Sequence, residues 1–322
     1  MRFIDLIDIR IEQYRCFKVY LKLGCQEANI DLYDASSEVS AYLHSVETDD
    51  VIFIPPYGQA INLIRNENLN INNSIFMVDL KGPMGIDSVH MIQSKTSASV
   101  IYLSPMIGQE QFSDFFISLI NSKIKCFPLP FFASDRLIEQ LNILNQPYKR
   151  HDNTFQDSNM ICFAGAVWGE RLVYLEALKS VFGKRITVTC GLNPKDYSSL
   201  LRFSLACLDF PGNQNSTYRF SEIFLSGGLC LCQQRSMFVL EKPPINYQEI
   251  LYFSNINELL KLSTFLLQNV DTSFKIRKAG IEWFHKTQTP QKLIYYLISL
   301  VRNEKNIEDY QIRSAGGHLW SL

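Results

Sequence analysis

Residues 208–233, LDFPGNQNSTYRFSEIFLSGGLCLCQ, constrain the fold more than any other stretch of the chain. An apolar run over residues 206–210 predicts a buried strand, and the polar loop after it is rich in Gly and Asn. An amphipathic helix is predicted to begin near Ser216 or Thr217. Gly227 and Gly228 are a helix stop signal, and the apolar residues 229–232 predict a second strand. A strand, loop, helix and strand in this order are typical of a parallel α/β sheet.

The beginning of this helix is a candidate phosphate site. The first backbone N–H groups of a helix lack partners, and the macrodipole places partial positive charge there. Arg219 in the first turn adds a fork of donors suited to phosphate oxygens. Glu222 shares a face with Arg219 at i+3, where a carboxylate can accept hydrogen bonds from sugar hydroxyls. An ordinary surface ion pair between Arg219 and Glu222 is the alternative interpretation.

Ser216, Arg219, Phe220 and Glu222, followed by two glycines and an apolar strand, resemble the nucleotide-sugar motif of GT-B glycosyltransferases. The CgeB-like and exostosin-like groups are the most similar in pattern. The resemblance implies an α/β fold of two Rossmann-like domains that face each other across a cleft, with the C-terminal helix crossing back to the first domain. It also implies that Glu222 binds the nucleotide ribose and that Arg219 faces the diphosphate. Many retaining enzymes have a second Glu where this chain has Gln214, so the stereochemistry stays open.

The same resemblance divides the chain into three parts. Residues 1–150 are expected to form an acceptor-side Rossmann-like domain, and residues 151–288 a nucleotide-sugar-binding domain. Residues 289–322 are expected to form a helix and tail that pack back on the first domain. A polar segment around residues 147–152 marks the predicted boundary. Within the first domain, a helix over residues 11–25 is predicted to end at Gly24.

Further donor-side candidates follow strands of the second half. Gly165 follows an apolar strand, and Arg171 lies at the beginning of the next predicted helix. An ordinary strand-to-helix turn would also explain this Gly. The resemblance makes Arg171 a second phosphate candidate and places the nucleobase near Gly191. The predicted donor site is completed by the residues at the helix start, which are Asn215, Ser216, Thr217 and Tyr218.

The catalytic base is sought in the first half of the chain. Asp79 ends a predicted strand and His90 lies shortly after it, so either side chain is a candidate for accepting the acceptor proton in an inverting transfer. For Asp79, capping of the following Gly-rich turn is the alternative. His285 is expected to be a structural group near a helix break at residues 285–290.

Composition limits the other functional classes. The net charge of −1 argues against nucleic acid as a partner, and the apolar fraction of 47% suits two packed α/β domains. The eight cysteines form no CxxC pair, and no His or Cys cluster suggests a metal site. The sequence shows neither a signal-peptide core nor a membrane-spanning run. We therefore expect a cytoplasmic protein, with peripheral membrane contact left open.

The sequence thus predicts a metal-independent glycosyltransferase that needs no cofactor beyond its substrate. The expected donor is a nucleotide sugar, with UDP sugars among the candidates, and the expected acceptor is a hydroxyl of a glycan, a lipid-linked compound or a protein. A nucleotide-sugar epimerase on the same fold is one alternative. A glycosyltransferase-like scaffold that binds a partner or a nucleotide without turnover is the other.

Overall fold

A computed structural model describes most of the chain. The described residues are 1–7, 12–80, 85–105, 114, 117–118, 121–130, 132–134, 136–137, 158–211, 218–235, 237–302 and 319–320. The predicted domain boundary at residue 150 and the helix-start residues Asn215, Ser216 and Thr217 lie outside them.

The first half of the chain forms a six-stranded, wholly parallel sheet with the strand order β2-β1-β3-β4-β5-β6. All five residues of its third strand are buried, as expected for a parallel strand covered on both faces. The strands are β1 (Arg2–Asp5), β2 (Leu32–Asp34), β3 (Asp50–Ile54), β4 (Ser74–Val78), β5 (Ser99–Ser104) and β6 (Lys125–Pro128), and the described helices are α1 (Glu12–Ala28), α2 (Val39–Leu43), α3 (Gln59–Asn66) and α4 (Ile86–Lys95).

The second half forms a five-stranded parallel sheet with the order β12-β10-β9-β7-β8. A short parallel pair, β11 with β13, joins residues 237–238 to residues 319–320 of the tail. The strands are β7 (Ser158–Ala164), β8 (Ile186–Thr189), β9 (Ser204–Asp209), β10 (Cys230–Gln233), β11 (Met237–Phe238), β12 (Leu251–Phe253) and β13 (Leu319–Trp320); the helices are α5 (Glu170–Phe182), α6 (Pro194–Phe203), α7 (Tyr218–Leu225), α8 (Ile256–Gln268), α9 (Val270–Thr287) and α10 (Pro290–Val301).

Two parallel α/β sheets confirm the predicted fold class, two Rossmann-like domains in the GT-B arrangement. Each sheet contains a topological switch point, where the strand order reverses and where open α/β sheets bind ligands. In the second sheet β7 lies between β8 and β9, so the switch point lies between β7 and β9. In the first sheet it lies between β1 and β3.

The C-terminal helix crosses back to the first domain, as predicted. Helix α10 packs along α1, and the Tyr296 hydroxyl donates to the Pro128 carbonyl at 2.7 Å. The prediction that Gly24 ends α1 is wrong, because the helix continues to Ala28. A β-carbon at Gly24 would overlap the Pro290 carbonyl oxygen, so this Gly permits close approach of the two helices.

The end of α7 confirms the predicted stop. Gly227 has a φ of 81°, and its N–H donates to Phe224 O at 3.0 Å. The Gly228 N–H donates to Ile223 O at 2.7 Å, which completes a Schellman motif. The break predicted at residues 285–290 is confirmed, since α9 ends at Thr287 and α10 begins at Pro290. No helix among the described residues is long and apolar enough to cross a membrane.

Candidate functional site at the switch point of the second sheet

Arg219 lies at the switch point between β7 and β9. Its Nε donates to Ala164 O at 2.9 Å, and its guanidinium carbon lies 4.5 Å from the centroid of the Phe163 ring. Nη1 lies 3.9 Å from Asp209 Oδ1 and makes no hydrogen bond to the described residues. The side chain is 11% exposed. Arg219 is therefore a largely enclosed cation that joins the carboxyl ends of two strands.

Gly165 makes room for this guanidinium. A β-carbon at residue 165 would overlap Nη2 of Arg219, and Gly165 N–H donates to Thr189 O at 2.8 Å. Two sequence candidates, Gly165 and Arg219, are thus in direct contact. Whether the Gly165 backbone also approaches a ligand stays a prediction.

Asp209 and Arg235 complete the surroundings of Arg219, and neither residue is among the site residues predicted from the sequence. Arg235 Nη2 forms an ion pair with Asp209 Oδ2, and Nη1 lies 3.3 Å from Asp209 O. The two side chains are 4% and 0% exposed. A buried Asp at the carboxyl end of a strand, followed by a Gly-rich loop, was a usable signal for this position.

Arg171 is the third cation at this edge. Its Nη1 donates to Ala166 O at 3.0 Å, and its Nη2 and Nε donate to Pro211 O at 2.6 and 3.2 Å. Its guanidinium carbon lies 4.5 Å from the centroid of Trp168. Burial and, to a smaller degree, the neighbouring Arg219 lower the pKa of Arg171 to about 10. Arg171 thus fixes the loops after β7 and β9, and a phosphate contact from it stays a prediction.

Arg171, Arg219, Arg235 and Asp209, here called the arginine cluster, carry three positive charges and one negative charge. Like charges in a buried region repel strongly, because little water is present to screen them. An anion bound at the switch point would relieve that repulsion. The arrangement therefore favours an anionic ligand at this edge of the sheet.

Glu222 lies one turn along α7 and connects the two domains. Its Oε1 accepts the Ser134 N–H at 3.1 Å, and its Oε2 accepts the Tyr197 hydroxyl at 2.7 Å. Burial and the charge of Glu222 raise the pKa of Tyr197. Glu222 is 7% exposed, and no ion pair joins it to Arg219 among the described residues. This geometry does not support the surface-ion-pair alternative.

A cavity of ≈ 290 Å³ opens between the domains beside Glu222. We call it the donor cavity, after the predicted donor-site residues that line it. The segment after β6 contributes Ser134, Arg136 and Leu137, while the loops after β7 and β8 contribute Gly165 and Gly191. Its remaining lining residues are Ala164, Cys190, Leu192, Pro194, Tyr197, Tyr218 and Glu222. The structure thus places four sequence candidates, Gly165, Gly191, Tyr218 and Glu222, around one cavity.

The two candidate bases lie elsewhere. Asp79 is fully buried, and its Oδ2 accepts the Tyr102 hydroxyl at 2.5 Å. The side chain of His90 is exposed on α4. Neither residue is among those that line the donor cavity in the described part of the chain. A catalytic role for either residue stays a prediction.

Asp209, Cys230 and Cys232 place one carboxylate oxygen and two sulfur atoms within 4.8 Å of one another. The spacing of these residues in the sequence does not indicate such a cluster. Arg235 lies in the same place, with its Nη1 3.5 Å from Cys232 Sγ and its Nη2 on Asp209. The residues present therefore already hold a cation, which favours a buried ion pair over a metal site.

No protein-family model matches the chain, and no curated protein is similar to it at the level of sequence. Similar solved structures include an apo structure of OtsA, with 10% identity over 90% of this chain and 78% of that chain, at a TM-score of 0.49. A putative UDP-N-acetylglucosamine 2-epimerase from Listeria monocytogenes shows 12% identity over 95% of this chain and 97% of that chain, at a TM-score of 0.49. The DNA-modifying enzyme beta-glucosyltransferase shows 11% identity over 88% of this chain and 97% of that chain, at a TM-score of 0.46. With TM-scores below 0.5, the fold assignment rests on the two sheets themselves.

Proposed function

We propose that the chain transfers a sugar from a nucleotide-diphosphate donor to a hydroxyl acceptor. The observation that carries the proposal is the excess positive charge of the arginine cluster at the switch point of the second sheet. A diphosphate beside Arg219 would offset that charge, and Nη1 of Arg219, which has no hydrogen-bond partner among the described residues, is a donor already in place. The motif resemblance to CgeB-like and exostosin-like groups supports the same site.

Glu222 is the proposed ribose ligand. Within the described part of the chain each of its carboxylate oxygens accepts one hydrogen bond, which leaves lone pairs for sugar hydroxyls. Because the partners come from two sides, the carboxylate is held in one orientation. The donor cavity of ≈ 290 Å³ next to it is near the lower end of the usual range for ligand pockets. A nucleoside part of the donor is therefore the proposed occupant.

The proposed chemistry is a displacement at the anomeric carbon. The acceptor oxygen forms a bond to that carbon, while the bond from the carbon to the diphosphate oxygen breaks. The leaving diphosphate takes the bonding electrons, and the arginine cluster stabilises its developing charge. In an inverting transfer, a base from the first domain takes the acceptor proton, for which Asp79 and His90 stay the candidates. Because the cations are arginines, we propose that transfer needs no divalent metal and persists in a chelator.

Titration calorimetry with UDP and the other nucleoside diphosphates tests the donor site. Arg219→Ala should weaken binding by about 30-fold or more, because it removes a largely enclosed cation beside the diphosphate. Arg185→Ala is the matched control, since Arg185 is exposed in the short 3₁₀ helix before β8, at the opposite edge of the sheet. Equal binding by both variants, with unchanged circular dichroism, would remove Arg219 from the site.

The burial of Asp79 favours a second candidate function, nucleotide binding without turnover. Wild-type protein that binds a nucleoside diphosphate but transfers no sugar to glycan, lipid-linked or protein acceptors would support it. Incubation with the nucleotide sugar alone, followed by product analysis, tests the epimerase alternative.

A further inference from the structure

A second cavity lies at the outer edge of the second sheet, apart from the donor cavity. It has a volume of ≈ 540 Å³ and shares no lining residue with the donor cavity. It opens at the carboxyl ends of β10 and β12, beside the first turns of α8. We call it the edge cavity, and its lining residues are Gln234, Asn246, Tyr247, Tyr252, Ser254, Glu258, Lys261, Leu262 and Phe265.

The polar groups of the edge cavity are held in fixed orientations. Asn246 Oδ1 accepts the backbone N–H groups of Tyr247 and Tyr252, each at 3.1 Å. Because the oxygen is fixed, the two donors of the amide nitrogen are fixed as well. Glu258 Oε2 accepts the Ser254 N–H at 2.7 Å, and the Ser254 hydroxyl donates to Gln234 Oε1 at 2.7 Å. A preorganised amide and carboxylate lose little entropy when a ligand binds.

Tyr247 provides an exposed aromatic face. The residue is 56% exposed, and its backbone φ of 62° is in the left-handed region, which is unfavourable for a bulky residue. The Tyr247 N–H donates to Ile250 O at 2.9 Å, and the ring centroid lies 6.5 Å from that of Phe265. The loop therefore holds an aromatic ring towards solvent at a cost in stability, which favours a role in ligand binding.

The charges of the edge cavity oppose each other. Lys261 and Glu258 contribute one charge of each sign, in contrast to the three cations of the arginine cluster. An anionic ligand would gain little from such a pair. Fixed amide and carboxylate groups suit vicinal hydroxyls, while an exposed ring suits the apolar face of a pyranose.

We propose that the edge cavity binds a neutral oligosaccharide, as an accessory site separate from the donor cavity. Its volume lies within the usual range for small-ligand pockets, so it accommodates a short oligosaccharide segment. Binding there does not depend on the proposed transfer reaction. If the chain also transfers sugars, this site would hold it on a glycan between turnovers.

An array of neutral oligosaccharides, probed with the labelled full chain, tests the site, and calorimetry on the best binder measures its affinity. Tyr247→Asn removes the ring, and Asn adopts a positive φ more readily than Tyr does, so the variant should fold at least as well as the wild type. We expect it to lose at least about 10-fold in affinity, the loss of one stacked ring. The matched control is Tyr295→Asn, because Tyr295 is 50% exposed on α10.

The proposal is overturned if no neutral oligosaccharide binds the wild type, or if Tyr247→Asn binds as tightly as the wild type. Arg219→Ala separates this test from that of the donor site. It should lose nucleoside diphosphate binding and keep oligosaccharide binding, so the two proposals can fail independently.

Discussion

Gly165 and Arg219 fit together at the switch point of the second sheet: the guanidinium of Arg219 fills the space that any larger residue at 165 would need. The contact links the end of β7 to the first turn of α7, and Gly165 and Arg219 are 54 positions apart in the sequence. The position of Arg219 therefore depends on a residue with no side chain.

Gly165→Ala should displace Arg219 and weaken nucleoside diphosphate binding by about 10-fold or more, because the guanidinium would lose its place beside the diphosphate. Titration calorimetry with UDP measures the change. Gly183→Ala is the control. Gly183 also has a positive φ, of 54°, but it lies before β8, and a β-carbon there would meet no neighbouring atom. It should lower thermal stability and leave binding unchanged. Wild-type UDP affinity in Gly165→Ala would contradict the proposed role.

Glu222→Gln should separate the ribose contact from the diphosphate contact. The Gln carbonyl keeps one acceptor, but the charge that strengthens hydrogen bonds to sugar hydroxyls is lost. We expect UDP affinity to fall by about 10-fold, from the loss of about 1.4 kcal/mol, while inorganic pyrophosphate binds as before. Competition between the two ligands, followed by calorimetry, gives both affinities. Equal losses for UDP and pyrophosphate would instead indicate that Glu222 acts on the whole site.

Asp209→Asn should show what the arginine cluster binds. Removal of the single carboxylate leaves Arg235 buried without its partner, which costs about 3–5 kcal/mol of folding stability. An anion at the cluster would recover part of that loss. Thermal unfolding in chloride and in sulfate should therefore show a larger gain from sulfate for Asp209→Asn than for the wild type or the exposed control Asp31→Asn. Equal gains in all three proteins would argue against an anion site.

Local patterns in the sequence predict the parts of the fold that local interactions determine. The alternating strands and helices and the Gly227–Gly228 stop are of this kind, because hydrophobic periodicity and helix capping depend on neighbours in sequence. The residues that line the donor cavity from β7, β8 and α7 follow from the topological rule for parallel sheets.

The partners of these residues could not be predicted in the same way. Ser134 and Tyr197 bind Glu222 from distant parts of the chain, and nothing in their own sequence surroundings indicates it. The prediction that Gly24 ends α1 is wrong for a related reason. Its local signal is that of any Gly in a helix, whereas its role is a contact with Pro290, which lies far away in sequence.

Asp5 should make folding stability fall as the pH rises from about 4 to about 6. Burial raises the pKa of Asp5 to about 6, against the opposing attraction of Lys18 at 3.1 Å. The unfolded carboxyl group has a pKa of about 3.9, so the folded state binds more protons within this window, and stability present at lower pH is lost. This pKa shift corresponds to a change of about 2–3 kcal/mol in the free energy of unfolding.

Urea unfolding of the wild type and Asp5→Asn at several pH values measures this effect. The Asn side chain can still accept the Ile7 N–H that Asp5 accepts at 2.9 Å, but it does not titrate. The wild type should therefore lose stability relative to Asp5→Asn as the pH rises through the window. A constant difference between the two proteins would show that Asp5 has an ordinary pKa.

Gly24→Ala should destabilise the protein, although Gly to Ala within a helix normally stabilises by about 0.5–1 kcal/mol. The added methyl would meet the Pro290 carbonyl and the Ile294 side chain, so α1 and α10 must separate. Overpacking of this kind costs about 1–3 kcal/mol. Urea unfolding should show a lower midpoint for Gly24→Ala and little change for Gln26→Ala, which is exposed on the same helix. Helix α10 joins the second domain to the first, so this contact contributes to the domain arrangement. A midpoint at or above the wild-type value would mean that α1 and α10 are not packed as closely as described.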